Sequence, residues 1–66
     1  MQILVNGAPQ ELVEGATVSD LLQVLDLMGK RLAVEVNAEI VSRSRHAETR
    51  LNPGDKVEIV HAIGGG

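Results

Sequence analysis

The chain has 66 residues, a net charge of −3, no cysteine and no aromatic residue. A chain of about this length folds as one domain at most and buries only about 60% of its unfolded surface, so its core must be small and well patterned. Without cysteine there is no disulfide and no thiolate chemistry, and without Phe, Tyr or Trp there is no stacking platform for single-stranded nucleic acid. The pI near 5.1 sits far below the range of a nucleic-acid-binding domain. No apolar run approaches the roughly 20 residues of a membrane span. The start "MQILVN" lacks the basic region and long apolar stretch of a signal peptide. A soluble cytoplasmic protein is expected, with neither nucleic acid nor membrane as a partner.

The first element is a short apolar strand, Gln2 to Val5. Asn6-Gly7 then signals a tight hairpin turn, because such turns need positive φ at their centre. Pro9 is expected outside the strand pattern. The return strand is expected over "QELVE", with Leu12 and Val13 as its apolar content. The stretch "GATVSDLLQVLDLMG" predicts a helix with both ends marked. Thr17 is its N-cap, and Asp20 stands at the capping-box position where the helix dipole also favours a negative charge. Val18, Leu21, Leu22 and Leu25 fall on one stripe at i, i+3, i+4, i+7. Gly29 is expected to end the helix, with Lys30 and Arg31 just beyond.

A second strand pair follows in "RLAVEVNAEIV". Leu32, Val34 and Val36 alternate with Ala33 and Glu35, Asn37-Ala38 is the turn, and Ile40-Val41 begins the return. "SRSRHAETRL" reads as a polar loop with a turn of helix, and "NPGD" as a punctuating turn. "KVEIVHAI" closes the fold as a strand, with Val57 and Ile59 on one side and Glu58, Val60 and Ala62 on the other. A sheet must bury its apolar side against something. The expected fold is therefore α+β: a mixed sheet with one helix packed across one face and the first and last strands parallel at its centre, which is a β-grasp arrangement. Residues 1–62 form that domain and 63–66 a glycine-rich tail.

Chemistry within the domain is sparse. No metal site is expected: His46 and His61 have no cysteine beside them and the acids are scattered. His46 reads as a solvated loop histidine and His61 as one at a strand edge. Arg43, Arg45, His46 and Arg50 read as a solvated basic loop face. No pair of carboxylates suits general acid–base work, so no catalytic residue is assigned and no bound cofactor is expected. The closing strand instead runs directly into Ile63-Gly64-Gly65-Gly66. A terminal carboxylate can be activated by ATP as an acyl-adenylate in another protein's active site. Glycine suits a tail that enters a narrow slot, because it has no Cβ and accepts any φ.

The stretches "MQILVNG", "TVSDLLQVLDL", "LAVEVNAEIVSRS" and "LNPGDKVEIVHAIGGG" together resemble the sulfur carrier family of thiamine biosynthesis, the ThiS family, over essentially the whole length. The resemblance implies a ubiquitin-like β-grasp fold. It implies that an adenylyltransferase of the ubiquitin-activating type adenylates the Gly66 carboxylate with ATP and Mg²⁺. Sulfur from a cysteine desulfurase or rhodanese-like donor then replaces AMP to give a thiocarboxylate on Gly66, and thiazole synthase takes that sulfur for the thiazole ring. Gly65 and Gly64 carry over as the tail that threads into these partners, and Ile63, Val60 and Ala62 as part of the docking face. Val5 departs from the family, which often has an aromatic residue there. A molybdopterin-synthase small subunit, a ubiquitin-like protein modifier and a pure binding module remain open as alternatives.

Overall fold

The computed structural model describes residues 1–61. Five strands form one mixed sheet in the order β2-β1-β5-β3-β4, with β1 Gln2–Val5, β2 Ala8–Glu11, β3 Leu32–Val36, β4 Glu39–Val41 and β5 Lys56–His61. β1 and β5 run parallel at the centre, and the other neighbours pair antiparallel. One helix, α1 (Val18–Val24), lies across a single face. Ile3, Val34, Val57 and Ile59 point from the sheet into a core that α1 closes with Val18, Leu21 and Leu22. This is the expected β-grasp arrangement. Val5 also packs against this core, half-buried.

The second strand corrects the sequence reading. Pro9 lies inside β2, opposite Leu4, and the strand covers Ala8–Glu11 instead of "QELVE". Val5 and Ala8 close the tight turn as a bonded pair, so the next position along directs its backbone nitrogen away from β1. A proline there removes no ladder hydrogen bond, and β2 is an edge strand. Leu12 is buried in the core, whereas Val13 is 76% exposed.

The helix begins where the sequence places it. Thr17 Oγ1 accepts from the Asp20 amide at 3.2 Å, and Asp20 Oδ2 accepts from the Thr17 amide at 2.9 Å. The two remaining donors of the first turn are met from the loop after β4. The Val18 amide donates to the Thr49 carbonyl at 2.9 Å and the Ser19 amide to the His46 carbonyl at 3.0 Å. The first turn of α1 is thus fully bonded.

The helix ends earlier than expected, before Leu25 and not at Gly29. Asp26 turns left-handed at φ 59. Its amide donates to the Gln23 carbonyl at 3.1 Å, and the Leu27 amide to the Leu22 carbonyl at 2.7 Å. This is a Schellman closure with aspartate in the place usually taken by glycine. Gly29, at φ 80, serves a later turn.

Candidate functional site

β5 is the element that leads toward the glycines, and the sheet holds it on both flanks. Val57 and Ile59 anchor it inward, while Glu58 and Val60 face outward. Its start is gripped by Asn37, the first residue of the β3–β4 turn. The Asn37 amide donates to the Lys56 carbonyl at 2.7 Å, and Asn37 Oδ1 accepts from the Lys56 amide at 3.0 Å. Asn37 Nδ2 also donates to Asp55 Oδ1 at 3.0 Å, and Asp55 Oδ2 accepts from the Asn52 amide at 2.8 Å. Asp55 is therefore a buried structural carboxylate that locks the "NPGD" turn.

Of the three residues expected on the docking face, Val60 is 56% exposed on the open face of the sheet. Ala62 and Ile63 lie outside the described residues, as do Gly64, Gly65 and Gly66. Beside Val60, the register places Ala33 directly opposite it on β3, and Glu35 opposite both Glu58 and Ile40. The open face thus combines apolar and acidic groups. Sequence reasoning passed over Ile40, which is 77% exposed. Its signal was available in the short return strand, where it alternates with the half-buried Val41.

The other candidates separate. His46 is not solvated: it is buried, with Nε2 at 3.1 Å from the Val41 carbonyl oxygen. The loop after β4 folds back to the start of α1, where its His46 and Thr49 carbonyls accept from the Ser19 and Val18 amides. His61 is exposed. The basic cluster is consequently split, with Arg43, Arg45 and Arg50 outside and His46 inside. Arg45 Nε pairs with Glu48 Oε1 at 3.3 Å, a solvated i,i+3 contact. Among the described residues, no group of three His, Cys, Asp or Glu is placed to hold a metal ion. Nor is any helix among them long and apolar enough to cross a membrane.

Residues 3–66 match the family model described as the ThiS family. The chain belongs to the ThiS family. The sulfur carrier protein ThiS of Escherichia coli is 35% identical over 66 residues, with 100% of each chain covered. The solved structure of the thiamine biosynthesis protein ThiS from Geobacter metallireducens is 33% identical and superposes with a TM-score of 0.86 over 100% of both chains. The five-stranded sheet with its single helix is therefore the ThiS fold. A thiazole synthase from Paramagnetospirillum magneticum is 42% identical over 66 residues, and the chain spans only 20% of its length. Of the relatives matched from end to end, one is named a sulfur carrier protein and the other a thiamine biosynthesis protein. Sulfur carriage for thiamine biosynthesis is the function of this family.

Proposed function

We propose that this chain carries its sulfur as a thiocarboxylate on Gly66. The observation that carries the reading is the absence of cysteine from a member of a sulfur-carrier family. No thiol side chain is available to hold the sulfur, so an acyl group must. The chemistry runs in three substitutions. A carboxylate oxygen of Gly66 attacks the α-phosphorus of ATP and expels pyrophosphate, giving an acyl-adenylate. The outer sulfur of the donor's persulfide then attacks the acyl carbon and expels AMP, and a partner thiol cleaves the resulting acyl disulfide, releasing the thiocarboxylate and ending in a disulfide itself. ATP and Mg²⁺ belong to the activating partner, an adenylyltransferase of the ubiquitin-activating type, and the sulfur to a desulfurase or rhodanese-like donor. The proposed setting is the cytoplasm.

Gly65 and Gly64 give Gly66 a thin approach through a partner's slot, since neither has a Cβ to clash with its walls. Val60, with Ala62 and Ile63, forms part of the face that docks on those partners. Thiazole synthase is the proposed acceptor of the sulfur. Thiazole synthases from Paramagnetospirillum magneticum and Magnetococcus marinus each contain a stretch similar to this whole chain, which supports that acceptor.

Accurate intact mass of the protein purified from cells making thiamine tests the reading, with fragmentation to locate the change. Oxygen-to-sulfur exchange has nearly the same nominal mass shift as oxidation of Met1 or Met28, so the position decides. Sulfur localised to Gly66 is the expected result, and an isopeptide from Gly66 to a lysine would move the reading to a protein modifier. Deleting Gly66 is expected to abolish sulfur loading and leave the melting temperature unchanged.

A further inference from the structure

Asn6 does more than its turn requires. It is the first residue of the β1–β2 turn, at φ 50, a role that asks only for its backbone. Its side chain reaches across to β5. Asn6 Oδ1 accepts from the Ile59 amide at 2.9 Å, and Asn6 Nδ2 donates to the Ile59 carbonyl at 3.2 Å. The parallel ladder between β1 and β5 consists of Leu4 with Lys56 and Val5 with Val57, followed by the Asn6 amide donating to the Val57 carbonyl at 2.9 Å. At that point β1 turns away. The carboxamide of Asn6 stands where the next peptide group of β1 would have been, and it meets both main-chain groups of Ile59.

His61 is the next β5 residue whose main-chain groups face the β1 side, by the alternation of the strand. On that side Asn6 makes the last hydrogen bonds to β5 among the described residues. On the other side β3 runs on to pair Leu32 with His61. Beyond Ile59, then, β5 is flanked by one strand only.

We infer that Asn6 is a positioning residue for sulfur transfer: its two bonds to Ile59 hold the β1 flank of β5, the strand that leads toward Gly66. This rests on the reading of Gly66 as the sulfur-bearing residue. Without those bonds β5 is held beyond Val57 by β3 alone, so its far end can shift against the sheet. A misplacement of about 1 Å at a reacting atom can cost on the order of a hundredfold in rate. Releasing Ile59 also lengthens the stretch of β5 that is flanked by one strand only. The open face of the sheet, by contrast, is untouched by this side chain, so docking and productive seating of the tail separate.

The test uses Asn6→Gly, which keeps a residue suited to positive φ and removes both bonds. Amide hydrogen exchange is read on the protein alone, and ATP-dependent sulfur loading is read with its activating enzyme. The expected result is at least tenfold faster exchange at Ile59, unchanged protection at Val34, a fall of about tenfold in kcat and a KM within threefold of the parent. Asn6→Asp keeps the acceptor for the Ile59 amide but loses the donor to its carbonyl, and it should fall between the two. It also serves as the test if the glycine variant does not fold. Unchanged exchange at Ile59, or faster exchange with full kcat, overturns the inference while the Gly66 reading stands. Failure of the parent chain to load sulfur overturns both.

Discussion

Glu35 and Glu58 face each other directly across β3 and β5 on the open side of the sheet. Neither takes part in an ion pair among the described residues. Like charges placed directly opposite destabilise a sheet, whereas an opposite pair contributes roughly 0.2–1 kcal/mol. Glu58→Lys is therefore expected to raise stability by about half a kcal/mol. The urea midpoint should rise at unchanged slope, and the gain should shrink at high salt as the charges are screened. A midpoint that stays put at low salt would show that the two carboxylates splay apart into solvent. The arrangement also bears on function, because a carrier that docks by this face gains from keeping acidic groups beside Val60 when its partner presents cations.

The two hairpin turns make a natural comparison. Both begin with asparagine, Asn6 at φ 50 and Asn37 at φ 51, and both continue left-handed, Gly7 at φ 83 and Ala38 at φ 70. A side chain in that region costs about 1–2 kcal/mol, of which the extra unfolded-state freedom of glycine offsets roughly 0.5–1. Ala38→Gly should then stabilise by up to about 1 kcal/mol, and Gly7→Ala should destabilise by a similar amount. Nothing lies within 4 Å of a Cβ built on Gly7, so that loss would be backbone strain alone. Thermal melts of the two variants should move in opposite directions. A shared sign would mean that the turns differ in more than this residue.

The features legible in the sequence are those decided locally. Asn6-Gly7 declares its turn because few residues accept positive φ, and Thr17 with Asp20 declares a helix start because both ends of the capping box lie within one turn. The missed features were decided at a distance. Glycine is the usual left-handed closer, which points to Gly29 as the end of α1, but Asp26 takes that conformation and Leu27 seals it against the core. Pro9 reads as lying outside the strand because a sequence does not reveal which way an edge nitrogen points. The polar neighbours of His46 suggest solvent, but its loop returns to the start of α1 and its ring is buried against the Val41 carbonyl. The clamp of Asn6 on Ile59 spans 53 residues and leaves no local trace. The glycines of the candidate site were legible by composition, and their surroundings were not.

The capping box can be weighed by a double-mutant cycle. Thr17→Ala removes the acceptor of the Asp20 amide, and Asp20→Ala the acceptor of the Thr17 amide. Each is expected to cost about 1 kcal/mol, in the range of N-cap replacements. The two bonds share a single geometry, so the double variant should lose less than the sum. Strict additivity in chemical denaturation would mean that the loop carbonyls of His46 and Thr49 hold the helix start without help from the box.

The face of α1 gives the largest expected effect. Leu21 is fully buried, whereas Val24, on the same helix, is 59% exposed. Leu21→Ala deletes side-chain atoms that pack between helix and sheet, and it should cost roughly 2–5 kcal/mol, depending on how far the core closes over the cavity. Val24→Ala removes surface that is already wet and should stay within about 0.5 kcal/mol. At roughly 0.05–0.15 kcal/mol per residue, a chain of 66 residues has a total stability of only about 3–10 kcal/mol, so the loss in Leu21→Ala is a large share of it. The expected outcome in a thermal melt is a large drop, or no folded baseline, for Leu21→Ala and a near-parental curve for Val24→Ala. Equal, mild effects would contradict the assignment of Leu21 to the buried stripe and leave the sheet without the cover that its apolar face needs.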